Sequence, residues 1–224
     1  MPLLGTRGAG SARGFGFGGA KSFPAIGEAF GGGYYAGPIS VNATQTATHL
    51  LIIAPISSGY SSSKQWKTSD TDTPTSAIDG YTNSETYNSA TYPAMQFCRG
   101  LSIGGFSDWY LPALYELVQL YYYLKSTSAP PYDNSTSYGA TVYSVSPQPY
   151  NTNNTSTNPN QTPATDFQYP SGSQHMANEI QTSTQGGGFF PTENRYTIEF
   201  TFGIWQSPRK SVATAARAIR KVPV

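Results

Sequence analysis

Two histidines, one cysteine and twelve carboxylates carry most of the reactive chemistry available to this 224-residue chain. His49 opens an apolar run, His49-Leu-Leu-Ile-Ile-Ala-Pro55, and His175 lies in a polar tract. Neither has a cysteine or a second histidine at metal-ligand spacing, so a core or surface role is expected for both. Cys98 follows Phe97 on a helical stripe and reads as a small core hydrophobe; alone, it can form no intrachain disulfide. Asp70, Asp72 and Asp79 are near enough in sequence to cluster, and glycoside hydrolysis would need two carboxylates about 5–10 Å apart. Acids in a Thr/Ser/Asp loop are more often turn residues, however. Asp70-Thr-Asp72 begins like an oxygen-ligand calcium loop, but no glycine at the sixth place and no later glutamate complete it. There is no Gly-x-Ser-x-Gly elbow, and the glycines at 14–19 lack the strand and helix that would make them a phosphate cradle. The expectation is a non-enzymatic chain with no metal and no cofactor.

The most informative element is the run Gly100-Leu-Ser-Ile-Gly-Gly-Phe-Ser-Asp-Trp-Tyr-Leu-Pro-Ala-Leu-Tyr-Glu-Leu117. Gly104 and Gly105 predict a turn, and Phe106 and Trp109 two apolar anchors about a polar step. Pro112 predicts a helix start, since proline suits a first turn where its missing N–H costs nothing. A helix over 113–125 would set Leu114, Leu117, Val118, Tyr121 and Tyr122 on one buried stripe. Within the turn, Asp108 is expected to bond nearby backbone N–H groups. Glu116 is expected to pair with Arg99 or a closing-strand arginine.

This order of turn, aromatic anchor and proline-started helix resembles the Gly-Phe-x-Asp-Trp-x-Leu-Pro-x-x-x-Glu-Leu segment of the family named for the C-terminal domain of the collagen-like adhesin. The resemblance extends over about residues 32–224. Gly32-Gly-Tyr-Tyr-Ala-Gly-Pro-Ile39 looks like the opening strand, Gln65-Trp-Lys-Thr68 like a second aromatic strand, and Ala94-Met-Gln-Phe-Cys-Arg-Gly100 like the first helix. Arg217-Ala-Ile-Arg-Lys-Val-Pro-Val224 looks like the closing strand, while Gly188-Phe-Phe-Pro-Thr-Glu193 stands where the family has Tyr-Trp-Ser-Ser-Thr-Glu. The resemblance implies an α+β, C-type-lectin-like fold: two helices, a twisted antiparallel sheet and a long loop region, common in phage tail proteins and bacterial adhesins. The animal lectins' calcium triplet does not carry over, because Gln148-Pro149 is followed by Tyr150.

Composition sets the frame. Charged residues make up 11% of the chain, with 17 tyrosines and 23 glycines, which disfavours solvated disorder and favours strands, turns and neutral hydrogen-bonding surfaces. No run of eighteen apolar residues or secretory h-region appears, so neither membrane insertion nor a signal peptide is expected. Cysteine usage fits synthesis in a reducing host cytoplasm with later release. Basic residues gather at both ends, either for solubility or to face an acidic neighbour. They form no patch interleaved with stacking aromatics, so nucleic-acid binding is not expected.

Residues 1–33 read as a separate Gly/Phe-rich arm ahead of a domain at 34–224. An arm bearing Arg7, Arg13, Phe15, Phe17 and Phe23 would dock on other virion subunits, or would form a simple disordered tail. Ser/Thr/Asp-rich loops are expected at 57–63 and 69–86. A polar insertion at about 126–188 contains the low-complexity run Asn151-Thr-Asn-Asn-Thr-Ser-Thr-Asn-Pro-Asn160, and loops of that length are usually functional or disordered. In it, Thr141-Val-Tyr-Ser-Val145 alternates like a strand; after it, Arg195–Phe202 predicts another, with Tyr196, Ile198, Phe200 and Phe202 on one face.

Surfaces rich in Tyr, Ser, Asn and Gly make adaptable contacts. The insertion supplies such a surface, and the resemblance implies, by region, a receptor-contacting set in it: Tyr132, Asn134, Tyr138, Tyr150, Asn151, Asn153, Asn154, Phe167 and Tyr169. The resemblance implies a virion structural protein, a homotrimeric tail fibre or spike component recognising a host surface glycan or outer-membrane protein. A purely architectural virion subunit (capsid decoration or tail adaptor) is the alternative, and an enzyme acting on envelope polysaccharide a third.

Overall fold

The computed structural model describes residues 23–129, 160–176, 179–187 and 190–224. Its architecture is α+β, with two sheets and four helices among the described residues. The first sheet has the order β1-β2-β3-β9, formed by Ala29–Phe30, Gly33–Ile39, His49–Ile53 and Ile219–Pro223, all antiparallel. The second has the order β4-β8-β5-β6-β7, from Tyr60–Gln65, Ala213–Arg217, Glu179–Gln185, Arg195–Glu199 and Ile204–Gln206. Only the β5–β8 pairing is parallel among these.

The apolar run after His49 explains the layering. Leu51 and Ile53 enter one core while Leu50 and Ile52 enter another, so β3 is buried on both faces. Helix α4, Leu114–Leu124, covers the first core together with Ile198, Phe200 and Ile219. Helix α3, Pro93–Arg99, covers the second with Trp66, Trp109 and Leu111, and Cys98 is buried there at 0% exposure. A four-residue helix α1, Ile56–Gly59, links β3 to β4, and α2, Gly80–Thr86, packs on α3. The closing segment joins the sheets: β8 and β9 are separated only by Ala218, whose N–H donates to Gly59 O and whose carbonyl accepts from Ala54 N–H.

Several expectations are corrected. Helix α4 starts at Leu114 rather than 113, with Pro112 just ahead of it, and the Pro112 carbonyl accepts from Ser183 N–H, tying the helix to β5. Glu116, Gln119, Leu120 and Leu124 are buried as well as the expected stripe, while Tyr122 is only half-buried, because the helix is packed on more than one side. Phe106 is 37% exposed and is not a core anchor; Trp109 is, at 0%. Asp108 does not bond the turn's backbone but pairs with Arg220, and Glu116 pairs with Lys221 rather than with an arginine. Arg99 pairs instead with Glu85. The expected loops hold β4 and α2, and the expected aromatic strand at 65–68 bends at Trp66, where Trp66 and Lys67 N–H both donate to Lys210 O. Strand β6 ends at Glu199, because the Glu199 carboxylate caps the N–H groups of Thr201 and Phe202 and turns the chain; Phe202 is left exposed. Gly203 completes that turn at φ +72°, where the Tyr121 ring leaves no room for a Cβ.

The expected arm and insertion both give up residues to the fold. Strand β1 lies within 1–33, Gly27 N–H donates to Tyr35 O, and the Phe23 ring sits 6.5 Å from that of Tyr35. Strand β5 lies within 126–188 although its sequence, Glu-Ile-Gln-Thr-Ser-Thr-Gln, is almost wholly polar. Most of its buried polar groups find partners on neighbouring segments, although Gln181 Oε1 is buried without one among the described residues. Gln181 donates to Lys64 O and Thr214 O, Thr182 to Tyr196 O, and Thr184 Oγ1 to Ser76 O while accepting from Leu114 N–H. At the donors and hydroxyls named, burial leaves no hydrogen bond unmade. Residues 1–22, including Arg7, Arg13, Phe15 and Phe17, and residues 130–159, including the strand expected at 141–145, lie outside the described residues.

Candidate binding cleft

An open cleft of about 380 Å³ is lined by His49, Asp79, Tyr81, Asp108, Tyr110, Lys221 and Pro223. The fold brings these residues from four places. His49 and Pro223 face each other across the β3–β9 pair, and Lys221 is opposite Leu51 on the same ladder. Asp79 is the N-cap of α2, accepting from Thr82 N–H at 3.2 Å and Thr82 Oγ1 at 2.6 Å, and Tyr81 follows in the first turn. Asp108 and Tyr110 come from the Gly-Phe-Ser-Asp-Trp-Tyr-Leu-Pro segment. That segment runs along the outer edge of β9, where Tyr110 and Ile219 exchange backbone hydrogen bonds at 2.9 Å.

The charges in the cleft are held in fixed pairs. Lys221 Nζ lies 2.7 Å from Glu116 Oε1 and 3.6 Å from Asp79 Oδ1. Asp108 receives Arg220 through two bonds, Nε at 2.6 Å and Nη2 at 2.9 Å, a bidentate fork. Arg220 also donates to Gly31 O at 3.0 Å and lies 3.8 Å from the centre of the Phe106 ring. The aromatics are ordered in the same manner. Tyr81 and Tyr110 meet edge to face at 5.8 Å, the Arg99 guanidinium covers Tyr81 at 4.8 Å, and Tyr110 Oη donates to Glu116 Oε1 at 3.1 Å.

These contacts lock the protonation states near neutral pH. Burial opposes charge on Asp79, but the Thr82 bonds and Lys221 outweigh it and hold its pKa below the ordinary value. Burial likewise works against Lys221, and Glu116 and Asp79 together raise its pKa. Burial lowers the pKa of His49, and the Lys221 charge lowers it further, so its imidazole is neutral at pH 7. Burial, then the charge of Glu116, pushes the Tyr110 hydroxyl well above its ordinary range. The cleft thus presents two carboxylates, an ammonium, a neutral imidazole and two phenol rings, poised to hydrogen-bond and stack rather than to exchange protons.

The receptor-contacting set read from the sequence is distributed differently. Phe167 is fully buried in the first core, edge to face with Tyr34 at 5.6 Å and under the Arg217 guanidinium at 5.6 Å; it cannot be a surface contact. An aromatic ending a short 3₁₀ turn, Thr165–Phe167, returns the chain to the core, and such anchoring has the same sequence signature as a recognition loop. Tyr169 is 52% exposed and contacts the His175 ring at 5.2 Å, away from the residues lining the cleft. Tyr132, Asn134, Tyr138, Tyr150, Asn151, Asn153 and Asn154 lie outside the described residues. Asp70, Asp72 and Asp79 do not cluster: Asp70 binds Ser211, Asp72 accepts from Gln185, and Asp79 caps α2. The sequence reading missed Tyr81, Tyr110 and Lys221 as partners of one site. Their only signal was the basic closing strand and the aromatic-rich turn, which say nothing about mutual distance.

Comparison of the chain with protein-family models, curated proteins and solved structures gives no match.

Proposed function

We propose that this chain is a non-enzymatic virion structural protein of the C-type-lectin-like class that recognises a polyhydroxylated ligand on a host surface through the His49–Lys221 cleft. One observation carries the reading: an open cleft in which every charge is already paired and an aromatic ring, Tyr81, stays 39% exposed. Paired charges cost little further desolvation when a neutral ligand arrives, and they retain acceptor and donor capacity for hydroxyl groups. Asp79 and Asp108 would accept from sugar hydroxyls, neutral His49 would accept or donate, and the Tyr81 face would pack on an apolar sugar face. Contacts of this kind are weak singly, and several copies, a trimer in this reading, would supply avidity. The Gly-Phe-Ser-Asp-Trp-Tyr-Leu-Pro segment that resembles the adhesin family forms one wall of the cleft, which supports the same assignment.

The architectural reading has its own observation. A groove of about 390 Å³ runs over Ala29–Tyr34 and Pro55, beside the exposed Phe30, and would suit another virion subunit.

The test is binding of the full chain to a panel of bacterial surface polysaccharides and intact cells, with Tyr81→Ala as the comparison. Saturable binding weakened in the folded variant supports recognition through the cleft. Binding equal in both, or none by the assembled wild type, moves the function to the architectural role.

A further inference from the structure

A second cavity, about 260 Å³, lies apart from the cleft and is lined by Ile56, Tyr60, Ser173, His175, Met176, Ile180 and Arg217. Arg217, the last residue of β8, is 1% exposed. Its guanidinium donates to three neutral oxygens: Nε to Ala54 O at 2.9 Å, Nη1 to Gln174 O at 2.8 Å and Nη2 to Gln174 Oε1 at 3.0 Å. A guanidinium has five N–H donors, so two have no partner among the described residues. Every ion pair among those residues involves other groups, so none of the described residues sets a carboxylate opposite Arg217. Burial alone lowers its pKa to about 9. A buried charge answered by carbonyl dipoles and the Phe167 ring, with no carboxylate beside it among the described residues, is an unusual arrangement, because such charges are ordinarily paired.

We propose that this cavity is a binding site for a small monocarboxylate, whose oxygens take the two open N–H groups of Arg217. The rest of the lining selects the ligand class. Ile56, Met176 and Ile180 form an apolar wall suited to a short aliphatic body, while Ser173 and half-buried His175 leave a polar rim. One guanidinium balances one carboxylate; a doubly charged phosphate would bring an unanswered charge against that apolar wall. The His175 ring is fixed at the rim, since Nδ1–H donates to Gly172 O at 2.6 Å. The site is independent of the cleft, and neither assignment requires the other.

The experiment titrates the full chain with butanoate, butan-1-ol and phosphate at ionic strength matched with sodium chloride. Binding is followed by calorimetry and by the ¹⁵N-labelled arginine Nε–H resonances. Saturable butanoate binding that shifts the Arg217 resonance is expected, with butan-1-ol weaker by about tenfold or more because it lacks the charge-assisted bonds. Ile56→Trp, at the half-buried wall, should fill the cavity and abolish binding in a folded protein. Butanoate no better than chloride, butan-1-ol equal to butanoate, tighter binding of phosphate, or full binding by Ile56→Trp would each overturn the proposal. Arg217→Met is a further arm if it folds; if it does not, the ligand comparison on the wild type decides alone.

Discussion

The ammonium of Lys221 lies 2.7 Å from Oε1 of Glu116, whose side chain is completely buried. The carboxylate is also bonded by Ala113 N–H at 2.8 Å, Gly80 N–H at 3.2 Å and Tyr110 Oη at 3.1 Å. One side chain thus joins the start of α4, the start of α2, the aromatic segment at 106–112 and the closing strand. Removing one partner of a buried pair costs about 3–5 kcal/mol because the other charge is left unanswered. Lys221→Met is expected to lose stability on that scale in denaturant unfolding. A loss under about 1 kcal/mol would show that the pair does not organise the cleft.

The same pair sets an alkaline limit. The folded pKa of Lys221 is raised above the ordinary 10.5. The native state therefore holds this proton more tightly, and the stabilisation is full below that value and is lost as pH rises through the folded pKa. Lys221→Met should remove that part of the alkaline loss, as read from the midpoint of unfolding against pH above about 10.

Lys210 behaves in the opposite sense. It is fully buried, with Nζ donating to Thr71 O, Thr192 O and Gln185 Oε1. Burial, and then the charge of Lys67, lowers its pKa to about 8. Between that value and the ordinary 10.5 the unfolded chain binds more protons, so stability contributed by this group rises with pH across the window. Lys210→Met should flatten the slope of stability against pH between about 8 and 10 while lowering stability overall, because three acceptors lose their donor. An unchanged slope would mean that the ammonium stays charged throughout.

Trp109 and Phe106 separate core from surface. Trp109 is fully buried and its Nε1–H donates to Phe106 O at 3.0 Å, so Trp109→Ala should cost about 3–5 kcal/mol. Phe106→Ala, at an exposed ring covered by Arg220, should cost about 1 kcal/mol or less. Comparable losses from the two, measured side by side in urea, would contradict the burial difference.

Truncations distinguish the arm from the fold. A chain starting at residue 34 loses β1, the Gly27–Tyr35 hydrogen bond and the Gly31 O acceptor of Arg220. It should melt clearly below a chain starting at residue 23. Equal melting temperatures would place the start of the fold after β1.

Much of this fold could be read from amphipathic spacing and turn chemistry alone. The apolar run at His49, helix α4, the Gly104-Gly105 turn and the burial of Trp109 and Cys98 rest on local signals, helix α3 and the closing strand were expected from the family resemblance, and the structure contains each of them. Hydrophobic periodicity works here because each of these segments buries its own apolar side chains. Strand β5 escaped because its buried positions are Gln, Thr and Ser, whose partners on β4, β6 and the 76 turn are distant in sequence. Phe167 was assigned to the surface because an aromatic in a polar tract looks the same whether it faces a ligand or the core. The ion pairs followed the same rule: Asp108 and Glu116 were legible as structural acids, but Arg220 and Lys221 were chosen by adjacency on β9. Sequence determined which apolar segments must be buried and where the chain turns between them, because those are local free energies. Tertiary structure alone decided which charges meet, that Asp79, Tyr81, Tyr110 and Lys221 share one cleft, and that Arg217 lines a cavity with no counter-ion among the described residues, because these depend on where distant segments come to rest.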